Sequence, residues 1–195
     1  FWKGEQMDDS PPQFPLNSRT ILVGNGSSAK GAKRGAKINQ FGTVVRFNWF
    51  WIKGHEEDVG NGVDVWFTSV HSKPHFDENN FRFVWCHTWT QTAPTCKTYN
   101  LLRQHHPLVF KTEHQVINEM VEFAKLPKRY NFSTGAIAAW YFAKLLKETI
   151  TVALSPRERG KHHYGDDQRK GNIHEPAKEY DFFQRMQAEN YVKIL

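Results

Sequence analysis

The chain of 195 residues is poor in cysteine, with only Cys86 and Cys96. Two thiols can pair or stay reduced, so they exclude a disulfide-built scaffold and leave the redox compartment open. No apolar run reaches the roughly 20 residues of a membrane-spanning helix, and no signal peptide is visible. The chain begins at Phe1 rather than Met, which leaves room for a trimmed chain with an anchor upstream. No Asp-x-Asp pair sits at the end of a strand-like run. Asp166 and Asp167 are adjacent, and neighbouring side chains point apart, so a divalent metal is not expected. Two familiar phosphate loops are missing as well. Gly26 and Gly31 have the Walker separation, but Ala32-Lys33 follows where Lys then Ser or Thr is required. Gly24-Asn25-Gly26 is followed by Ser27-Ser28-Ala29, without the third glycine of a dinucleotide fingerprint. There is no internal repeat.

What is present is globular: 39% hydrophobic and 14% aromatic residues, enough for one domain with a real core. The net charge of +6 suits an anionic ligand or surface without naming one. Residues 1–18 read as an N-terminal arm, because Ser10-Pro11-Pro12-Gln13-Phe14-Pro15 is held extended by its prolines. Residues 19–195 read as one domain.

The stretch Ile21 to Asn48 organises that domain. Ile21-Leu22-Val23 is a short buried strand, broken by Gly24-Asn25-Gly26-Ser27-Ser28. A Gly-rich turn after a strand can converge backbone N–H groups on a phosphate; an ordinary turn is the equally open alternative. Thr43 to Phe47 is the second strand, ending in Arg46-Phe47-Asn48. Between them lie Lys30, Lys33, Arg34 and Lys37, which read first as a solvated face. Val63 to Val70 and Phe81 to Thr88 are the third and fourth strands. His71 and His75 between them fit no metal spacing. Trp89 to Leu108 reads as irregular.

The second half alternates helix and strand. His114 to Lys125 is an amphipathic helix, with Thr112 and Gln115 placed for a capping box. Ser133-Thr134-Gly135 opens an apolar helix, Ala136 to Lys147. Its N-terminus is either a plain Ser/Thr cap or a second site for an anion or ribose. Ile150 to Leu154 is a strand, His174 to Glu189 a helix, and Tyr191 to Leu195 a closing strand. This alternation implies an α/β domain with a mostly parallel sheet. His163 and His174 fall in the segment after the Ile150 strand, where open sheets place their ligands. An imidazole there can take or give a proton near neutral pH.

Four pieces, in order, resemble the eukaryotic-type sialyltransferase family with its large, small, third and very-small motifs. Val23-Gly24-Asn25-Gly26-Ser27, Val45-Arg46-Phe47-Asn48 and Asp58-Val59-Gly60 resemble the large motif. Phe132-Ser133-Thr134-Gly135, its helix and Ile150 to Leu154 resemble the small motif. His163-Tyr164 is similar to the third, and His174 with Glu179 to the very-small motif. The resemblance implies a single Rossmann-like domain, a GT-A variant, that moves sialic acid from CMP-sialic acid to a glycan hydroxyl. It implies inversion, no metal and no cofactor, the CMP-sugar being donor substrate. It implies that Asn25, Gly26, Ser27, Asn48, Ser133, Thr134, Gly135 and Tyr164 bind the donor. His174 would be the base, His163 would steady the departing phosphate, and Glu179 is placed to be structural. Its expected setting is the Golgi lumen, with any membrane contact through an anchor outside this chain, or the cytoplasm for a bacterial or viral source.

The chain also departs from the family. Thr20-Ile21 stand where animal members carry a cysteine, and Ala153-Leu154-Ser155-Pro156 replace the aromatic-glycine-aromatic ending. The glycosylation acceptors Asn25-Gly26-Ser27 and Asn131-Phe132-Ser133 fall inside the donor motifs, which suits a chain outside the secretory lumen or one whose acceptors are buried. A related keto sugar such as Kdo remains an open donor. The alternatives of other kinds are a basic nucleic-acid-binding module using Lys30 to Lys37, and an inactive relative that binds nucleotide without catalysis.

Overall fold

The computed structural model describes residues 19–69, 81–87, 102–104, 109–112, 115–128, 130–154 and 175–195. Seven strands form one sheet: β1 (Thr20–Val23), β2 (Thr43–Phe47), β3 (Val65–Ser69), β4 (Phe83–His87), β5 (Val109–Thr112), β6 (Ile150–Ala153) and β7 (Val192–Ile194). Their order is β5-β4-β3-β2-β1-β6-β7, and every pairing is parallel. The chain starts in the middle, runs outward to β5, then returns to the other side of β1. The order therefore reverses between β1 and β6, and the crevice at their carboxyl ends is the switch point of a doubly wound sheet.

Both faces of the sheet are covered, as parallel strands require. Alternate residues divide the core. Leu22, Val45, Phe47, Val65, Phe67 and Trp85 face one layer, built from α3 (Gln115–Ala124), α4 (Thr134–Leu146) and α5 (Pro176–Ala188). Ile21, Val23 and Val44 face the other, beside Ile38 of α1 (Gly35–Ile38) and Val59 of α2 (Glu56–Val59). Trp66, Val84 and Cys86 continue that second layer toward Phe50 and Phe81. The helix α4 is apolar nearly all round because it is enclosed: Ala136, Ile137, Ala138, Ala139 and Phe142 are fully buried.

The sequence reading corresponds closely for the central strands and departs at the edges. Strand β2 has the expected bounds, and β3 and β4 are shorter than Val63 to Val70 and Phe81 to Thr88. Strand β5 lies just past the stretch read as irregular and was not anticipated; four residues carry too little periodicity. Thr112 closes β5 and α3 starts at Gln115, whose side chain donates to Glu119 at 3.4 Å. The short helices α1 and α2 were also unforeseen, because four-residue helices are decided by packing rather than by pattern. Gly35 shows how tight that packing is: a Cβ there would lie 2.0 Å from the Glu56 carbonyl oxygen.

Candidate functional site

Three pieces meet at the carboxyl edge of the sheet: the turn after β1, the residue after β2, and the start of α4. The turn is pinned at the switch point, where the Gly24 N–H donates to the Ala153 carbonyl at 3.0 Å. Asn25 then reaches sideways. Its Nδ2 donates to the carbonyl of Phe47 and, at 2.7 Å, to that of Trp49. Both amide hydrogens of Asn25 are thus committed to the chain leaving β2. Gly26 and Ser27 are buried, and Ser27 opens a short 3-10 turn, Ser27–Ala29.

Asn48 is the hub. It has a positive φ of 43°, a conformation that asparagine tolerates better than most residues. Its Nδ2 donates to the Thr134 hydroxyl at 2.9 Å, and its Oδ1 accepts from the Ser69 N–H at 2.8 Å. Its carbonyl accepts from the Trp66 indole at 2.9 Å. One side chain therefore ties the ends of β2 and β3 to the first turn of α4. Two substitutions separate its roles. Asn48→Gly keeps the positive φ and loses both side-chain bonds, for an expected cost of about 1–2 kcal/mol. Asn48→Ala adds backbone strain of about 1 kcal/mol. Urea denaturation of the pair should rank alanine as the less stable; equal losses would contradict the backbone part of the argument.

The start of α4 is capped twice. Ser133 Oγ accepts from the Ala136 N–H at 3.2 Å, and the Ser133 N–H donates to the Glu179 carboxylate of α5. Glu179 therefore joins two helices. Gly135 lies against Phe47: a Cβ there would stand 3.7 Å from its ring. Tyr130 closes the corner, donating its hydroxyl to the Glu175 carbonyl at 3.2 Å. Burial, followed by the charges of Glu179 and Glu175, pushes the Tyr130 phenol up to about 12. Glu175 immediately follows His174 in the chain, so the start of the segment carrying His174 and Glu179 is anchored beside the α4 N-terminus. His163, Tyr164 and His174 themselves lie outside the described residues, as do Asp166, Asp167 and Cys96.

Asn25, Gly26, Ser27, Asn48, Ser133, Thr134 and Gly135 are thus gathered at one edge of the sheet. In Asn25 and Asn48, however, the side chains hold neighbouring loops, which is a role the sequence reading did not assign. The Asn25 acceptor is also unsuited to glycosylation, since its amide nitrogen is already bound between two carbonyls. In the other acceptor, Phe132 is fully buried.

Two further residues were missed. Arg46 was read only as part of a motif, yet it is fully buried. Its Nε donates to the Gly62 carbonyl at 2.8 Å, and its Nη2 to those of Val59 and Gly60 at 2.7 and 3.0 Å. An arginine between Val45 and Phe47, inside an otherwise apolar strand, was the available signal. Asp58 grips the basic loop: its carboxylate accepts from the Gly31 N–H at 2.8 Å and the Lys33 N–H at 3.0 Å. Those two bonds, Gly31 first, hold the Asp58 carboxyl below its ordinary value of 3.8. A depressed folded value means stability that is present above the unfolded pKa and lost as pH falls through the folded one. Acidification below pH 3.8 should therefore loosen the loop. The Gly31 and Lys33 amides, followed by NMR, should lose protection there, and Asp58→Asn should shift that transition upward or abolish it. Persistence of protection through that range would count against the grip.

The basic run is less cationic than its sequence suggests. Glu56, Glu57 and Asp58 of α2 stand opposite it, and Lys33 pairs with Glu57 at 3.8 Å. Arg34 donates instead to the Leu154 carbonyl at 2.7 Å. Among the described residues there is no cluster of three or more His, Cys, Asp or Glu that could hold a metal ion, and no helix long and apolar enough to cross a membrane.

Residues 5–84 match the profile of glycosyltransferase family 29 (sialyltransferase). Over that stretch, less than half of its length, the chain is similar to the sialyltransferase family. Over 65 residues it is 38% identical to the rat (Rattus norvegicus) type 2 lactosamine alpha-2,3-sialyltransferase, a match spanning 31% of this chain and 20% of that protein. Over 56 residues it is 36% identical to the rat lactosylceramide alpha-2,3-sialyltransferase, spanning 29% and 14%. The matched stretch is thus a small part of those relatives. The fold is that of solved sialyltransferases. A mammalian enzyme superposes with a TM-score of 0.68 at 14% identity, covering 90% of this chain and 68% of that one. A sialyltransferase solved in complex with CMP superposes at 0.61 and 12% identity, covering 91% and 80%. At such identities these structures speak for the fold alone. The large-motif residues from Gly24 to Gly60 all fall within the profile match, whereas Ser133 to Gly135 and Glu179 lie beyond it.

Proposed function

We propose that this chain transfers sialic acid, or a related keto sugar, from its CMP conjugate to a glycan hydroxyl, with inversion and without a metal or cofactor. The observation that carries the reading is the Asn48–Thr134 bond, which joins the loop edge of β2 to the N-terminus of α4 beside the switch point. Two Gly/Ser-rich turns are held together there, Gly24 to Ser27 and Ser133 to Gly135. That arrangement suits a nucleotide monophosphate. Gly26, Ser27, Ser133, Thr134 and Gly135 then touch the donor, Asn25 and Asn48 shape the walls around it, and Tyr164 is a further donor-binding residue. His174 takes the acceptor's proton. His163 donates to the departing phosphate, stabilising charge that develops in the transition state. Glu179 holds α5 to α4 and so fixes where the chain emerges after His174. Against the nucleic-acid alternative, Lys33 of the basic run pairs with Glu57 and Arg34 is spent on the Leu154 carbonyl.

A thermal-shift comparison of CMP, UDP, GDP and ADP tests the donor. Ligand at about 100 times its Kd stabilises by about 2.7 kcal/mol. For a domain of this size that is a rise of several degrees, about 2–4 °C per kcal/mol. CMP should give that rise and the others less. Transfer from CMP-sialic acid to a galactoside should also survive EDTA. Equal shifts with all four nucleotides, or activity restored only by Mn²⁺, would remove the assignment.

A further inference from the structure

Strand β6 leaves the sheet at the switch point, and something must decide where it goes. The ladder ends there: the Gly24 N–H takes the Ala153 carbonyl at 3.0 Å, and the Leu195 N–H takes that of Val152 at 3.0 Å. The next carbonyl, Leu154, is past the paired residues of β6 and accepts instead from Arg34 Nη1 at 2.7 Å. The two residues are 120 apart in sequence. A guanidinium to a carbonyl is a charge-assisted bond, stronger and better oriented than a neutral one. Arg34 is itself held from both sides. Before it, Gly31 and Lys33 adopt positive φ values of 80° and 51°, and both amides are gripped by the Asp58 carboxylate. After it, Gly35 packs so closely on α2 that a side chain would strike the Glu56 carbonyl. The arginine's backbone is thus fixed on a rigid support, and its side chain crosses to the exit of β6.

We propose that Arg34 is a positioning residue for the transfer reaction: with Asp58 holding its loop, it sets the exit of β6 at Leu154. The segment that begins there carries His163 and returns at Glu175 beside the α4 N-terminus. The inference rests on the transferase reading for its consequence and on the Arg34–Leu154 bond for its geometry. Arg34 acts through a backbone carbonyl. Its loss should therefore appear in turnover rather than in nucleotide binding.

The test uses Arg34→Ala, Arg34→Lys and Asp58→Asn in the full chain. Two readouts are taken: kinetics with CMP-sialic acid alongside CMP titration, and hydrogen exchange at the Gly24 and Leu195 amides. Arg34→Ala should lower kcat at least tenfold while CMP affinity changes less than threefold. Exchange at Gly24 should speed up about tenfold, with Leu195 nearly unchanged. Arg34→Lys, which can still reach a carbonyl, should recover part of both effects and serves if the alanine variant does not fold. Asp58→Asn combined with Arg34→Ala should cost little more than Arg34→Ala alone, since both act on one loop. Unchanged kcat together with unchanged Gly24 exchange would overturn the proposal. So would a loss of kcat matched by an equal loss of CMP affinity. If the parent chain shows no transfer, the exchange data still decide: faster exchange at Gly24 keeps the fastening role while the transferase reading falls, and unchanged exchange ends both.

Discussion

Replacing His174 by alanine is expected to lower kcat by about 10²–10⁴-fold, the range for losing a general base. The reason is chemical and positional. A sugar hydroxyl is a poor nucleophile until its proton has somewhere to go, and a neutral imidazole is poised to take it near pH 7. His174 directly precedes Glu175, whose carbonyl is bound by Tyr130 beside the start of α4. Five residues on, Glu179 is bonded to the Ser133 N–H. The chain that directly follows His174 is thereby held beside the start of α4. Because a base works only in the transition state, kcat and kcat/KM should fall together, with CMP affinity nearly intact. His163→Ala should instead weaken stabilisation of the phosphate and reduce donor affinity as well. His162→Ala is the control: the same residue type one position away, with little expected effect. Steady-state kinetics with CMP titration on the three variants checks this. A His174→Ala variant with near-normal kcat, or a dead His162→Ala, would reassign the base.

Arg46→Leu should be the most destabilising single change in the sheet. Its guanidinium serves three carbonyls, those of Val59, Gly60 and Gly62, from a fully buried position. Each buried acceptor left without a donor costs about 1–3 kcal/mol. Removing a buried cation offsets part of that, because a guanidinium itself resists burial. The balance is a loss of about 3 kcal/mol. At about 2–4 °C per kcal/mol, the melting temperature should drop by roughly 6–12 °C. Gly60 adds to the sensitivity, since its φ of 72° holds a turn that the arginine bridges back to β2. Arg46→Lys should recover little, because a point donor cannot span three acceptors. Thermal and urea denaturation measure the effect. A loss under about 1 kcal/mol would mean the carbonyls find other donors on relaxation.

The chain itself determined more about the centre of this protein than about its edges. Strands β1, β2 and β6 are short, β-branched and bounded by turns, and alternate residues serve two buried faces. Any folding of those residues must bury them, so their place was legible without a structure. The family resemblance was legible too, because Val23 to Ser27, Arg46 to Asn48 and Asp58 to Gly60 are motif residues whose order survives in the sequence. Tertiary structure alone decided what those residues do. Arg46 was read only as part of a motif and is a buried clamp. Asn25 and Asn48 looked like donor contacts, and their side chains fasten loops to one another. Lys30 to Lys37 looked like a charged face, and its loop is gripped by Asp58 and sends Arg34 across to Leu154. The physical reason is common to all four. A polar side chain is satisfied by whichever donor or acceptor the fold brings within about 3 Å. Those partners stand 13 to 120 residues away in sequence, as do Val59 for Arg46, Asp58 for Lys33, Thr134 for Asn48 and Leu154 for Arg34. Periodicity reports burial, but it cannot report a partner that only the crossing of strands and helices supplies.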